Sequence, residues 1–265
     1  MNPLLKHYGL ATVPFGRSPP KGALLRHQGF EEARRRLLYS AELDTIALLV
    51  SESGCGKSLL LGEVADELRR EGFSVQYFAH STVGPFGLLN VLARQVGLMP
   101  RRSRAETAQA LTDHLLASEV RHLLVLDEGH QFPDATLEDI RLLTISDFDR
   151  KSPFVLLLAG HTALDERLAE PTHLALDQRI TTVARLLPLC AEETKTYLET
   201  RLKAAGADRP MFEDGAVAAI HDGAGGIPRR INNLATAALI VAAARKKRLV
   251  NAQDVKDAQL DRGRP

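Results

Sequence analysis

With 265 residues, 45% hydrophobic and 25% charged, the sequence has an ordinary globular composition that can bury one sizeable core and a smaller satellite domain. A formal net charge of +1 excludes a globally basic nucleic-acid binder, so any such contact must come from local clusters. Two distant cysteines, Cys55 and Cys190, exclude a disulfide framework and fit a reducing compartment, with the cytoplasm as default.

The N-terminus, Met1 to Tyr8, lacks the apolar run of a secretory signal. The first thirty residues are rich in Pro and Gly. Val13-Pro14-Phe15-Gly16 and Ser18-Pro19-Pro20 predict an extended lead-in rather than a helix, with regular structure starting near Phe30. A helical stretch from Glu31 to Ser40 follows. Short apolar runs then come at 45–50, 74–79, 122–127 and 154–159, separated by charged helical segments. That alternation predicts strands of a parallel sheet covered on both faces, hence an α/β doubly wound core. The polar segment Met99 to Glu106 predicts a mobile loop. After Pro188 the strand signals stop, and helical stretches are expected at 191–205, 213–221, 228–244 and 252–260, with Pro228 at a first helical position and Asn251 as an N-cap. The most apolar stretch, Leu234 to Ala244, is about half the roughly 20 residues that span a bilayer, so no membrane span is expected.

Between the first strand and the helix after it lies Ser51-Glu52-Ser53-Gly54-Cys55-Gly56-Lys57-Ser58, followed by Leu59. This is a phosphate-binding loop in the context that such a loop requires. Gly54 and Gly56 let backbone amides turn inward to phosphate oxygens, and the helix N-terminus adds positive potential. Lys57 is placed for the β- and γ-phosphates, and Ser58 can offer a hydroxyl to Mg²⁺. Ser51 stands where the usual pattern begins with glycine.

Leu123-Leu124-Val125-Leu126-Asp127-Glu128 is an apolar strand ending in two carboxylates. Beside a phosphate loop they divide the work: Asp127 for Mg²⁺, Glu128 to orient and polarise the attacking water. Asp134 reads as a cap of the following helix. The next strand ends in Gly160-His161-Thr162, and His161 or Thr162 is a candidate sensor of the γ-phosphate, a solvated or capping role being the alternative. Arg179, before the last core strand, and Arg229, in the first turn of a later helix, are candidates for the cation that stabilises transition-state charge. Surface pairing with local carboxylates is the alternative for both.

Across nearly its whole length the sequence resembles AAA+ ATPases of the ExeA and TniB/TnsC group, which is similar to the transposition regulators IstB and MuB. The resemblance rests on Tyr8-Gly9-Leu10, Pro14-Phe15, His27, Glu32-Ala33, the phosphate loop, Leu126-Asp127-Glu128 and Leu158-Ala159-Gly160-His161. It continues through Gln178-Arg179-Ile180, Leu187-Pro188-Leu189, Glu193-Thr194, Tyr197-Leu198, Arg201-Leu202, Ala205-Gly206 and Gly225-Gly226-Ile227-Pro228-Arg229-Arg230-Ile231-Asn232. It implies three regions: a lead-in, 1–30, near the adenine through Pro14-Phe15; an AAA+ α/β core, 31–188; and a helical lid, 189–265. By the same resemblance Arg179 would be the arginine finger, Arg229 the second sensor and His161 the first. The implied activity is a slow, Mg²⁺-dependent ATPase stimulated by DNA or a partner.

In the transposition-type relatives, ATP-bound subunits assemble as rings or helical filaments on duplex DNA and recruit or activate a transposase, with a target-selection protein as a further partner. Secretion-type relatives continue into membrane and periplasmic segments, and the end at Pro265 favours the transposition-type reading. Arg101, Arg102 and Arg104 form the best DNA-facing cluster, with a solvated basic loop as the alternative. Arg245-Lys246-Lys247-Arg248 reads as a structural run at a helix C-terminus. A secretion-assembly ATPase and a nucleotide-switched interaction protein are the other readings.

Overall fold

The computed structural model describes residues 3–16, 22–79, 84–145 and 152–261. The expected extended stretch Ser18-Pro19-Pro20 lies outside them. Two compact units divide the chain: residues 28–52 with 57–186, and residues 1–27 with 53–56 and 187–265.

The first unit is an α/β sandwich. Its strands are β1 (Ile46–Ser51), β2 (Ser74–Phe78), β3 (His122–Leu126), β4 (Val155–Gly160) and β5 (Ile180–Leu186). They form one parallel sheet in the order β2-β3-β4-β1-β5. Every residue of β1, β3 and β4 is buried, whereas the edge strands β2 and β5 are only partly so. The continuous Leu, Val and Ile runs of the inner strands are what a sheet covered on both faces demands. Helices α2 (Gln28–Glu42), α3 (Lys57–Arg70), α4 (Pro85–Gln95), α5 (Arg104–Ala117), α6 (Asp134–Leu143), α7 (Thr162–Leu168) and α8 (Leu174–Asp177) supply the covering. The sequence of strand positions reverses direction at β1, and in such sheets ligands bind beyond the carboxyl ends of the strands at that reversal.

The second unit is helical. It contains α1 (Pro3–Tyr8), α9 (Ala191–Ala204), α10 (Asp214–Ala224), α11 (Pro228–Ala244) and α12 (Ala252–Asp261). Tyr8, Leu10, Leu198, Leu202, Ile220, Ile231, Leu239 and Val255 share its core. Buried Asp254 accepts from Lys247 and Arg245, and the Asn251 side chain caps α12 by accepting the Asp254 N–H at 3.0 Å. Burial is the larger influence on Asp254 and opposes ionisation, yet these donors outweigh it and hold its carboxyl below the usual range.

Three expectations are corrected. Regular structure starts well before Phe30: Pro3 opens the helix α1, and Tyr8 is buried with its hydroxyl donating to the Leu239 carbonyl at 2.9 Å, so packing overrides the local Pro/Gly signal. Met99–Glu106 is not wholly loop, because Ser103 and Glu106 form a reciprocal capping box that starts α5 at Arg104. Asp134 does not cap α6; Pro133 holds that position, and the Asp134 carboxylate pairs with Arg167 and His173 instead.

Candidate functional site

The phosphate loop leaves the carboxyl end of β1 and enters α3. Gly54 has φ +97°, a region in which a side chain is strained. A Cβ there would also lie 2.8 Å from Arg229 Cβ, so this glycine is needed on two counts. Lys57 is buried, its ammonium donating to the Ser51 carbonyl at 3.1 Å and the Ser51 hydroxyl at 3.3 Å. The serine in place of the first glycine therefore gives the lysine a second acceptor.

Asp127 is 2% exposed at the end of β3. Its Oδ2 accepts from the Ser58 hydroxyl at 3.2 Å, bringing together the two residues that the sequence assigns to Mg²⁺. A hydroxyl and a carboxylate are hard oxygen donors, and the pair fits that ion. The same Oδ2 accepts from the Tyr77 hydroxyl at 2.9 Å, while Oδ1 accepts the Glu128 N–H at 2.8 Å. The Tyr77 phenol is pushed up to about 12 by burial and by the Asp127 and Glu128 charges, so it remains a donor at neutral pH. Glu128 adopts the left-handed region, φ 57° and ψ 32°, which is uncommon for a non-glycine residue. Behind it, the 3-10 turn Gly129–Gln131 carries His130, whose Nδ1 lies 3.7 Å from Glu128 Oε2.

His161 sits at the N-cap of α7, where its Nδ1 accepts the Ala163 N–H at 3.4 Å and lies 3.3 Å from the Thr162 hydroxyl. Its ring faces His130 at 5.9 Å between centroids. In the helical unit, the Arg229 N–H donates to the Gly54 carbonyl at 3.2 Å, which fixes the first turn of α11 beside the loop residues of that unit.

Residues 41–168 match the family model described as AAA domain. That stretch resembles an AAA domain. General secretion pathway protein A of Aeromonas hydrophila is 31% identical over 244 residues, covering 90% of this chain and 44% of that protein. The chain thus spans less than half of that relative's length. Among solved structures, Cdc6p of Pyrobaculum aerophilum superposes with a TM-score of 0.72 at 20% identity, covering 94% of this chain and 70% of that one. The Drosophila ORC bound to DNA gives 0.69 at 18% identity, covering 100% and 67%. The fold is that of AAA+ P-loop ATPases.

Arg179 lies apart from the phosphate loop of its own chain. It precedes β5, whose Ile180 is registered with Ile46 at the start of β1, whereas the loop leaves the other end of β1. Six residues of strand put roughly 20 Å between these edges. There Gln178, Arg179 and Thr181 line a cleft with Thr45, Arg121 and His122. Phe15 is buried in the helical core, its ring 6.3 Å from that of Phe212, and the Pro14 carbonyl accepts from Arg201 at 2.7 Å. Arg101 and Arg102 are exposed just before α5, while Arg104 forms an ion pair with buried Asp139.

Sequence reasoning missed Tyr77 and His130. Tyr77 carries no motif, and its reach to Asp127 depends on the β2–β3 register; His130 follows Asp127-Glu128-Gly129 directly, where a titratable side chain could have been noticed. Tyr77→Phe is expected to lower stability by about 1 kcal/mol, since it removes one donor from a buried carboxylate at a half-exposed position. A double-mutant cycle with Asp127→Ala in urea checks this: the loss should vanish in the Asp127→Ala background, and an undiminished loss would assign it to ring packing.

Proposed function

We propose that the chain is an ATP-dependent, DNA-binding AAA+ regulator of transposition that oligomerises on duplex DNA with ATP and recruits or activates a transposase. The observation that carries the ATPase part is the convergence of Ser58 and Asp127 on one hydrogen bond at the mouth of the phosphate loop. In this reading the loop amides of Ser53 to Leu59 receive the phosphates, and Lys57 exchanges its Ser51 acceptors for β- and γ-phosphate oxygens. Ser58 and Asp127 hold Mg²⁺, which when bound neutralises phosphate charge. Glu128 accepts a proton from the water whose oxygen attacks the γ-phosphorus as the bond to the bridging oxygen breaks. Arg179, remote from its own loop, serves a neighbouring subunit; Arg229 and His161 or Thr162 report the phosphate, and Pro14-Phe15 flanks the adenine.

The DNA part is supported by the exposed pair Arg101 and Arg102, held in place by a capped helix start. Contacts of this kind go to phosphates and carry little sequence information. Among the described residues no helix is long and apolar enough to cross a membrane. The two distant cysteines, Cys55 and Cys190, support a reducing compartment, the bacterial cytoplasm, as the proposed location. A second reading, an ATPase of secretion assembly with an envelope partner, is favoured by the 31% identity to General secretion pathway protein A.

The test is ATPase rate with and without duplex DNA at low and moderate salt, with the same mixtures viewed by negative-stain electron microscopy. Stimulation with ATP-dependent rings or filaments is expected. Replacing both Arg101 and Arg102 by alanine should reduce the salt slope of DNA binding by about 1 per arginine. Absence of any DNA response would transfer the assignment to the secretion reading.

A further inference from the structure

We propose that His130 is a positioning residue for Glu128, its Nδ1 alternating between the His161 backbone N–H and the Glu128 carboxylate. The proposal rests on Glu128 being the base of the ATPase reading.

His130 is placed by backbone contacts on both sides. Its turn is closed by the Gln131 N–H donating to the Glu128 carbonyl at 2.9 Å, and its own carbonyl accepts from Arg167 at 3.2 Å. The turn lies so close to the end of β4 that a Cβ on Gly160 would stand 3.2 Å from the His130 backbone nitrogen and 2.7 Å from Leu164 Cδ2. That approach puts His130 Nδ1 3.3 Å from the His161 N–H, which donates to it, and 3.7 Å from Glu128 Oε2. The charged and titratable groups around the ring are Lys57 from α3, Asp127 and Glu128 from the end of β3, and His161 and Arg167 beside it. Burial, the largest influence, holds the imidazole below its usual range, so a neutral ring has a lone pair to offer.

One nitrogen cannot serve both neighbours at once. With the proton on Nε2, Nδ1 accepts from His161, as observed, and Glu128 keeps its lone pairs for a water. With the proton on Nδ1, the His161 bond is lost and the imidazole donates to one carboxylate oxygen of Glu128, fixing the other oxygen for the water. The end of β4, which carries the candidate sensor, is thereby coupled to the residue that activates water.

The test compares single-turnover ATP hydrolysis and ATP affinity in the full chain for wild type, His130→Ala, His130→Asn and Glu128→Gln. His130→Ala is expected to bind ATP as wild type does but to hydrolyse it roughly tenfold to a hundredfold more slowly, as misplaced catalytic groups do. His130→Asn should recover most of the rate, because its amide NH2 can donate to the Glu128 carboxylate while its oxygen can accept the His161 N–H. Wild-type hydrolysis in His130→Ala, with Glu128→Gln inactive, would overturn this proposal alone. Equal impairment of His130→Ala and His130→Asn would reduce the residue to packing and also overturn it. Normal turnover in Glu128→Gln would instead remove the base on which both readings stand.

Discussion

Glu128→Gln is expected to bind ATP with little change in affinity and to hydrolyse it about a hundredfold to ten-thousandfold more slowly, the span that a positioned general base contributes. The amide keeps the size and one acceptor of the carboxylate but cannot take a proton. The backbone that aims it, with φ 57°, is closed by Gln131 N–H to the Glu128 carbonyl and by the Glu128 N–H to Asp127 Oδ1, neither of which involves the Glu128 side chain. The geometry should therefore survive the substitution, and the variant should accumulate in its ATP-bound, assembled form. Rapid-quench hydrolysis alongside equilibrium ATP binding separates the two effects. Wild-type turnover would move the base elsewhere.

Lys57→Ala acts one step earlier. Nucleotide affinity should fall by about two to four orders of magnitude, since charge-assisted bonds to phosphate contribute roughly 1.5–3 kcal/mol each and Lys57 reaches two phosphates in the proposed complex. Without nucleotide its ammonium is buried against the Ser51 carbonyl and hydroxyl, so the lysine meets its ligand already stripped of most of its water. Calorimetric titration with ATP, with thermal unfolding of the nucleotide-free variant as the control for folding, checks the effect. An unchanged Kd would dissociate the loop from phosphate binding.

Contiguous features were legible in the sequence. The loop Ser51–Ser58 and the pair Asp127-Glu128 follow apolar runs, because the chemistry demands neighbouring residues at a strand end; β1 to β4 were bounded to within a residue, whereas β5 was placed only by Arg179 before it. The helices after residue 190 were legible for the same reason, through Pro228 and Asn251. The start of α5 was legible too, in the capping pattern Ser103-x-x-Glu106, which the polar composition of the segment masks. What escaped depends on distant partners. Helix α1 exists because Tyr8 reaches Leu239, 231 residues away, and Tyr77 meets Asp127 only through strand register. His130 acquires its neighbours only when β4 arrives beside its turn.

The sheet order has a consequence for how the chain comes off the ribosome. β1 pairs with β4 and β5 and with no earlier strand, so Ile46–Ser51 has no backbone partner until residues 155–160 have been made. β2 and β3, by contrast, can pair as soon as His122–Leu126 emerges. Loop closure over so many residues is slow, and until then an apolar segment lies open to wrong partners. The proposed nucleotide loop, first of the candidate catalytic parts to be synthesised, is therefore among the last to acquire its shape.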